Sequence, residues 1–174
     1  MSFKTKKYTV IRQAISKDLA SFIFNYFIMK KQVYDTCIKR RYISPFEVIL
    51  GYYEGKEDQI PNTYCGYADI AMETLMLKCQ PIMEKTTGLK LNPAYSFARS
   101  YKNGDVLKRH KDRFSCEIST TLNLGGDPWA LYLSPNENVG IPDGKKITVE
   151  SKAKGIKVDL KPGDMLVYSG CELE

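Results

Sequence analysis

The chain has 174 residues, 43% of them hydrophobic and 26% charged, with a net charge of +6. That composition excludes a fibrous or low-complexity chain, and no apolar run reaches the roughly 18 residues of a membrane span. The length suits one domain, 1–174, with a sizeable core. The lysines and arginines are dispersed rather than clustered, so nucleic acid is not expected as a partner.

The N-terminus, Met1-Ser2-Phe3-Lys4-Thr5-Lys6-Lys7, lacks the apolar stretch and small-residue cleavage site of a secretory signal. A cytoplasmic location without membrane attachment is the expectation. Five cysteines, Cys37, Cys65, Cys79, Cys116 and Cys171, are scattered and form no CxxC pair. They read as reduced thiols rather than as a disulfide frame or a zinc site.

Residues 1–88 read as a helical buttress. Leu19, Phe22, Ile23, Tyr26, Phe27, Val33, Tyr34 and Cys37 recur at three- and four-residue spacing, with Ser16 placed as N-cap. A second helix is expected after Pro61-Asn62, carrying Tyr64, Tyr67, Ala71, Leu75, Cys79 and Ile82 on one side. Pro81 should kink or split it, and Gly88 should stop it. Apolar stripes of this kind are buried against another layer rather than wrapped around a cofactor.

From Leu89 onward the pattern changes to short strands, expected at 94–101, 106–110, 116–124, 129–133, 146–150, 155–160 and 165–168. Turn chemistry separates several of them: Asn103-Gly104-Asp105, Gly125-Gly126-Asp127-Pro128, Pro142-Asp143-Gly144 and Pro162-Gly163-Asp164. Strands this dense predict an α+β protein, mainly β, in which a sandwich or barrel over residues 89–174 packs against the helices. Tyr52-Tyr53 and the loop 134–143 read as surface turns, with a substrate entrance as the other reading.

The strand faces carry the chemistry. In 116–124, Ile118, Thr120, Leu122 and Leu124 alternate with Glu117, Ser119, Thr121 and Asn123, so one face is mainly apolar and the other wholly polar. A polar inner face suits a barrel that holds a small polar ligand and an ion. In 94–101, Tyr95, Phe97, Arg99 and Tyr101 share a side. Arg99 reads equally as an anion clamp, with Tyr95 beside it as a substrate or anion contact, or as a surface arginine lying over aromatics. His110, the only histidine, is followed two residues later by Asp112. Residues two apart on a strand point to the same face, so imidazole and carboxylate can converge on one ion. An Fe(II) facial triad requires a second histidine besides.

Strand, Asn103-Gly104 turn, His110-Lys111-Asp112 and a polar-faced strand follow one another between Tyr95 and Leu124. Together with the later Leu160-Lys-Pro-Gly-Asp-Met-Leu-Val-Tyr-Ser-Gly170, this stretch resembles the Fe(II)/2-oxoglutarate-dependent dioxygenases, in their prolyl 4-hydroxylase-like branch. The resemblance implies a double-stranded β-helix from about residue 89. It also implies Fe(II) and 2-oxoglutarate, with ascorbate as a further candidate cofactor, and a peptide or small-molecule substrate hydroxylated at an unactivated C–H bond, such as a prolyl or other protein side chain. His110 and Asp112 would be two iron ligands. Tyr101 and Thr121 would meet the distal carboxylate of 2-oxoglutarate.

The family's second histidine is expected just past Glu174 and its basic residue on a later strand, so the resemblance implies a truncated form. Strand 165–168 should then lie antiparallel to a strand near His110 and lead residues 171–174 towards the metal pocket, with Glu174 Cα within about 15 Å of His110. The alternative is a non-catalytic β-helix binding module without a complete iron site. An unrelated jelly roll fits the context of His110 and Asp112 less well.

Overall fold

The computed structural model describes residues 3–134, Pro142 and 154–173. A single helical turn, α1 (Phe3–Lys6), leads into β1 (Tyr8–Ile11). Helix α2 (Lys17–Arg40) forms where the apolar spacing predicts it. Ser16 Oγ accepts the Leu19 amide at 3.2 Å, satisfying one of the donors that a helix start leaves open. Asp18 in the first turn and Lys39 and Arg40 in the last complement the helix dipole. Arg41, at φ +59°, ends the helix, and the Tyr42 amide donates back to the Cys37 carbonyl at 2.9 Å.

Helix α3 (Ile70–Thr87) starts later than its aromatic pattern suggests, because Asp69 caps it. Asp69 Oδ1 accepts the amides of Ala71 and Met72 at 3.0 and 3.2 Å. Its Oδ2 accepts from Tyr26 at 2.8 Å and is paired with Lys30. Tyr64 and Tyr67, expected on this helix, instead belong to a strand, since Ala68 at φ +49° breaks the chain between them and the cap. Pro81 sits inside α3 without splitting it. Gly88, at φ +72°, ends it as expected.

The chain divides into two units. The first comprises Met1–Ser21, Cys79–Ala94 and Lys108–Glu174. Its central strand is β8 (Met165–Ser169), flanked antiparallel by β1 on one side and β5 (Ile118–Leu122) on the other. Register pairs Thr9 with Val167, and Val167 in turn with Thr120. Met165, Leu166 and Val167 are at most 1% exposed, which is why this segment reads as a continuous apolar run rather than an alternating one. Leu166 joins Leu133, Val158, Leu160 and Leu173 in the core, against which Tyr8, Val10, Leu131 and Tyr168 pack. Leu133 and Val158 lie on the separate antiparallel pair β6 (Leu131–Leu133) and β7 (Ile156–Val158).

The second unit comprises Phe22–Lys78 and Tyr95–Leu107. Here β2 (Tyr52–Tyr53), β3 (Tyr64–Tyr67) and β4 (Phe97–Ser100) form a second antiparallel sheet. Tyr64, nearly inaccessible, lies against the rings of Phe27, Tyr34 and Tyr53 at centroid distances of 5.1, 5.8 and 5.6 Å. Gly66 lets Phe27 approach: a Cβ there would meet the ring at 3.2 Å.

The protein is thus α+β with antiparallel sheets, and strands outnumber helices among the described residues. Several elements differ from the sequence reading. Three strands, β1 to β3, lie in the first half, which reads as helical. Residues 106–110 form no strand beyond a single bridge at His110. Cys116, read as the start of a strand, instead ends a 3-10 turn (Phe114–Cys116), and the strand begins at Ile118. The strand expected at 146–150 and most of the loop 134–143 fall outside the described residues. No helix among the described residues is long and apolar enough to cross a membrane.

Candidate metal centre

Asp112 is the hub of the first unit's polar side chains. Its backbone amide donates to the carbonyl of Gly170, just past β8, at 2.9 Å. Its carboxylate Oδ2 accepts from Ser119 Oγ at 2.5 Å and from the Tyr168 hydroxyl at 3.1 Å. Ser119 and Tyr168 are register partners on β5 and β8, so one cross-strand pair grips one oxygen. The other oxygen, Oδ1, lies 3.6 Å from His110 Nε2.

His110 is oriented by its own backbone neighbourhood. Its Nδ1 lies 2.8 Å from the Lys108 carbonyl. A carbonyl can only accept, so Nδ1 carries a proton and Nε2 is the lone-pair nitrogen of the neutral ring. The pair therefore presents one imidazole nitrogen and one carboxylate oxygen to a common point, each fixed through its other heteroatom. That is how metal-binding histidines and carboxylates are usually braced. Bonds of about 2.0–2.2 Å to each donor are compatible with the 3.6 Å that separates them.

Electrostatics agree with this arrangement. Burial pushes the Asp112 carboxyl up, but His110 in its protonated form, with hydrogen bonds from Ser119 and Tyr168, outweighs it and holds the carboxyl below its ordinary value. Burial, followed by the charge of Asp112, holds the Tyr168 phenol far above its usual range, so it remains a donor. Thr121 shares the polar face of β5 with Ser119, two residues away along the strand. The polar face of this strand is thus the one turned to the site, as the alternation predicts, while Thr120 on the other face is exposed.

The N,O donor set fits a borderline divalent ion such as Fe(II). It is not a full triad. Among the described residues no third His, Cys, Asp or Glu joins the pair, and His110 is the only histidine in the sequence. Strand β8 does run antiparallel to β5 beside the site, and Cys171 Sγ donates to the Arg113 carbonyl at 3.2 Å. The expected position of Glu174 lies outside the described residues.

Arg99, Tyr95 and Tyr101 belong to the second unit. Arg99 lies over the rings of Phe97 and Tyr101, at 4.8 and 5.6 Å, as one sequence reading has it. It is not a surface residue, however: its side chain is 7% exposed and pairs with the equally buried Glu54 at 2.6 Å. Its anion is internal. The Tyr101 hydroxyl lies 3.4 Å from Arg99 Nη1, and Tyr95 stacks on Tyr67 at 5.0 Å. The ligand roles of these three rest on the resemblance in sequence.

Ser119, Tyr168 and Gly170 escape the sequence reading as site residues. The alternation along 116–124 signals Ser119. Nothing local signals Gly170, whose requirement comes from close approach: a Cβ there would lie 2.6 Å from Asp112 Oδ2 and 2.5 Å from the Cys116 carbonyl.

No protein-family model matches the chain, and no relative is found among curated proteins. Among solved structures the fold is similar to the crystal structure of a prolyl-4-hydroxylase from Pseudomonas putida. The TM-score is 0.61 over 98% of this chain and 84% of that one, at 14% sequence identity. What the two proteins share is a fold of the prolyl-4-hydroxylase kind.

Proposed function

We propose that this chain is the core of an Fe(II)- and 2-oxoglutarate-dependent oxygenase, built on a double-stranded β-helix, that hydroxylates an unactivated C–H bond in a prolyl or other protein side chain. The observation that carries the reading is the His110–Asp112 pair, whose Nε2 and Oδ1 face each other while Lys108, Ser119 and Tyr168 hold the remaining heteroatoms. The similarity of fold to the bacterial prolyl-4-hydroxylase supports it.

His110 and Asp112 would hold the ion. The chemistry an Fe(II) ion supplies when bound with 2-oxoglutarate and O₂ is oxidative decarboxylation coupled to C–H hydroxylation. The protein's own work is orientation. Ser119 and Tyr168 keep the Asp112 carboxylate turned so that Oδ1 alone faces His110, and the Lys108 carbonyl fixes the imidazole tautomer. Thr121, on the same face, offers a hydroxyl to the cosubstrate.

A second reading, a non-catalytic module of the same fold, draws on the two-ligand donor set. Equilibrium binding of 2-oxoglutarate with and without Mn(II) separates the two. The oxygenase reading expects binding that requires the metal and is lost in His110→Ala. Binding that ignores both metal and substitution favours the module and overturns the oxygenase assignment.

A further inference from the structure

Cys116 and Cys171 lie far apart in sequence, yet both hydrogen-bond the Arg113 carbonyl. The β5–β8 ladder keeps one register throughout, from Leu122 with Met165 to Ile118 with Ser169. One step further, the Gly170 amide donates to the Glu117 carbonyl at 3.0 Å, so the ladder's hydrogen bonding continues past the strands. Extended one further residue, that register would oppose Cys116 and Cys171. The 3-10 turn Phe114–Cys116 does not carry them apart, because both attach to one atom. The Cys116 amide donates to the Arg113 carbonyl at 2.8 Å, and Cys171 Sγ donates to the same carbonyl at 3.2 Å.

Opposed residues on an antiparallel ladder have Cα atoms about 4.5–5.5 Å apart, within the roughly 4.4–6.8 Å that a disulfide spans. Both residues are half-exposed, so an external reagent can reach them. The remaining cysteines differ: Cys65 and Cys79 are buried, and Cys37 lies on α2 in the other unit.

The geometry points to Cys116 and Cys171 as a redox pair that closes into a reversible cross-strand disulfide beside Asp112. The chemistry is thiol–disulfide exchange with a small-molecule disulfide such as oxidised glutathione. One cysteine thiolate attacks the external disulfide, forming a mixed disulfide and releasing one glutathione thiolate. The second cysteine, deprotonated, attacks the protein sulfur of that mixed disulfide, and the second glutathione leaves as thiolate. Two electrons pass from the protein thiols to the external disulfide, and the two protons go to solvent or to the released thiolates.

The bond would tie together the two segments that position the candidate metal ligand. Gly170 accepts the Asp112 amide, and the Cys116 carbonyl accepts Ser119 Oγ at 3.2 Å. Oxidation should therefore rigidify the backbone at Asp112. This inference concerns the thiols alone and does not require a bound metal.

The test is to equilibrate the full chain in glutathione redox buffers and map linked peptides by mass spectrometry, then follow amide hydrogen exchange. The expected result is one intramolecular link, Cys116–Cys171, with a loss of two hydrogens. It should persist in the Cys37→Ser/Cys65→Ser/Cys79→Ser variant and vanish in Cys116→Ser and in Cys171→Ser. The Asp112 amide should exchange at least several-fold more slowly in the oxidised protein. Glutathione adducts without the internal link, or a link that involves another cysteine, would overturn the assignment. So would unchanged exchange at Asp112 as regards the effect on the ligand.

Discussion

The Asp112 amide donates to the Gly170 carbonyl at 2.9 Å, which joins the candidate metal ligand to the end of a strand 58 positions further along the chain. The contact leaves no room for a side chain at Gly170. Gly170→Ala should therefore destabilise the fold by about 1–3 kcal/mol, as overpacking against fixed groups does. Urea denaturation would show it. A variant as stable as the parent would mean that the approach is looser than described.

Strand β8 is the centre of the first unit, so burial predicts a gradient across the sheet. Leu166→Ala should cost about 2–5 kcal/mol, because the side chain is almost wholly enclosed. Leu122, which the alternation marks as a core residue, is only half-buried on β5, and Leu122→Ala should cost less than about 2 kcal/mol. Comparing the two denaturation midpoints checks the order, and a larger loss at Leu122 would reverse the assigned centre.

The buried ion pair of the second unit makes a separate prediction. Glu54→Ala leaves the Arg99 guanidinium enclosed without its carboxylate, and removing one partner of such a pair costs about 3–5 kcal/mol. Thermal unfolding would register the loss. If Arg99 were a free anion clamp, the same substitution would be close to neutral.

Asp164 predicts how stability responds to acid. Burial pushes its carboxyl up, but the Gln13 and Lys161 amides, at 2.9 and 3.0 Å, and Arg12 hold it below its ordinary value. A depressed carboxyl stabilises the fold fully above its unfolded value, near 3.8, and loses that contribution as pH falls through the folded value. Asp164→Asn should be less stable than the parent at pH 7 and should lose less stability between pH 4 and pH 2. Parallel curves for parent and variant would contradict this.

How much of the molecule was legible in sequence follows from the range of the interactions. The α2 helix, its Ser16 cap and the Gly88 stop depend on neighbours within a few residues, and the spacing shows them. His110 and Asp112 do face each other, but not on the strand that the sequence reading gives them: only a single bridge forms at His110, and the hydrogen bond from the Asp112 amide to Gly170 helps to place the carboxylate. Tyr64–Tyr67 was misplaced because the aromatic spacing also fits a helix, and the Asp69 cap that decides the matter draws on Lys30 and Tyr26, about forty residues away. Ladder register brings Gly170 to Asp112 and Cys171 to Arg113, and no local pattern encodes it. The partner of Arg99 was hidden likewise, since Glu54 lies 45 positions upstream.

The most direct test of the account is a titration of the 174-residue protein with Mn(II), followed by electron paramagnetic resonance, in the parent and in His110→Ala, Asp112→Ala and Tyr168→Phe. With two protein ligands and water completing the shell, the account predicts weak, one-to-one binding that both ligand substitutions abolish. It predicts that Tyr168→Phe, which removes a hydrogen bond to the ligand carboxylate, weakens binding about 10–100-fold. Binding that survives both His110→Ala and Asp112→Ala unchanged would show that the ion, if one binds, is held elsewhere.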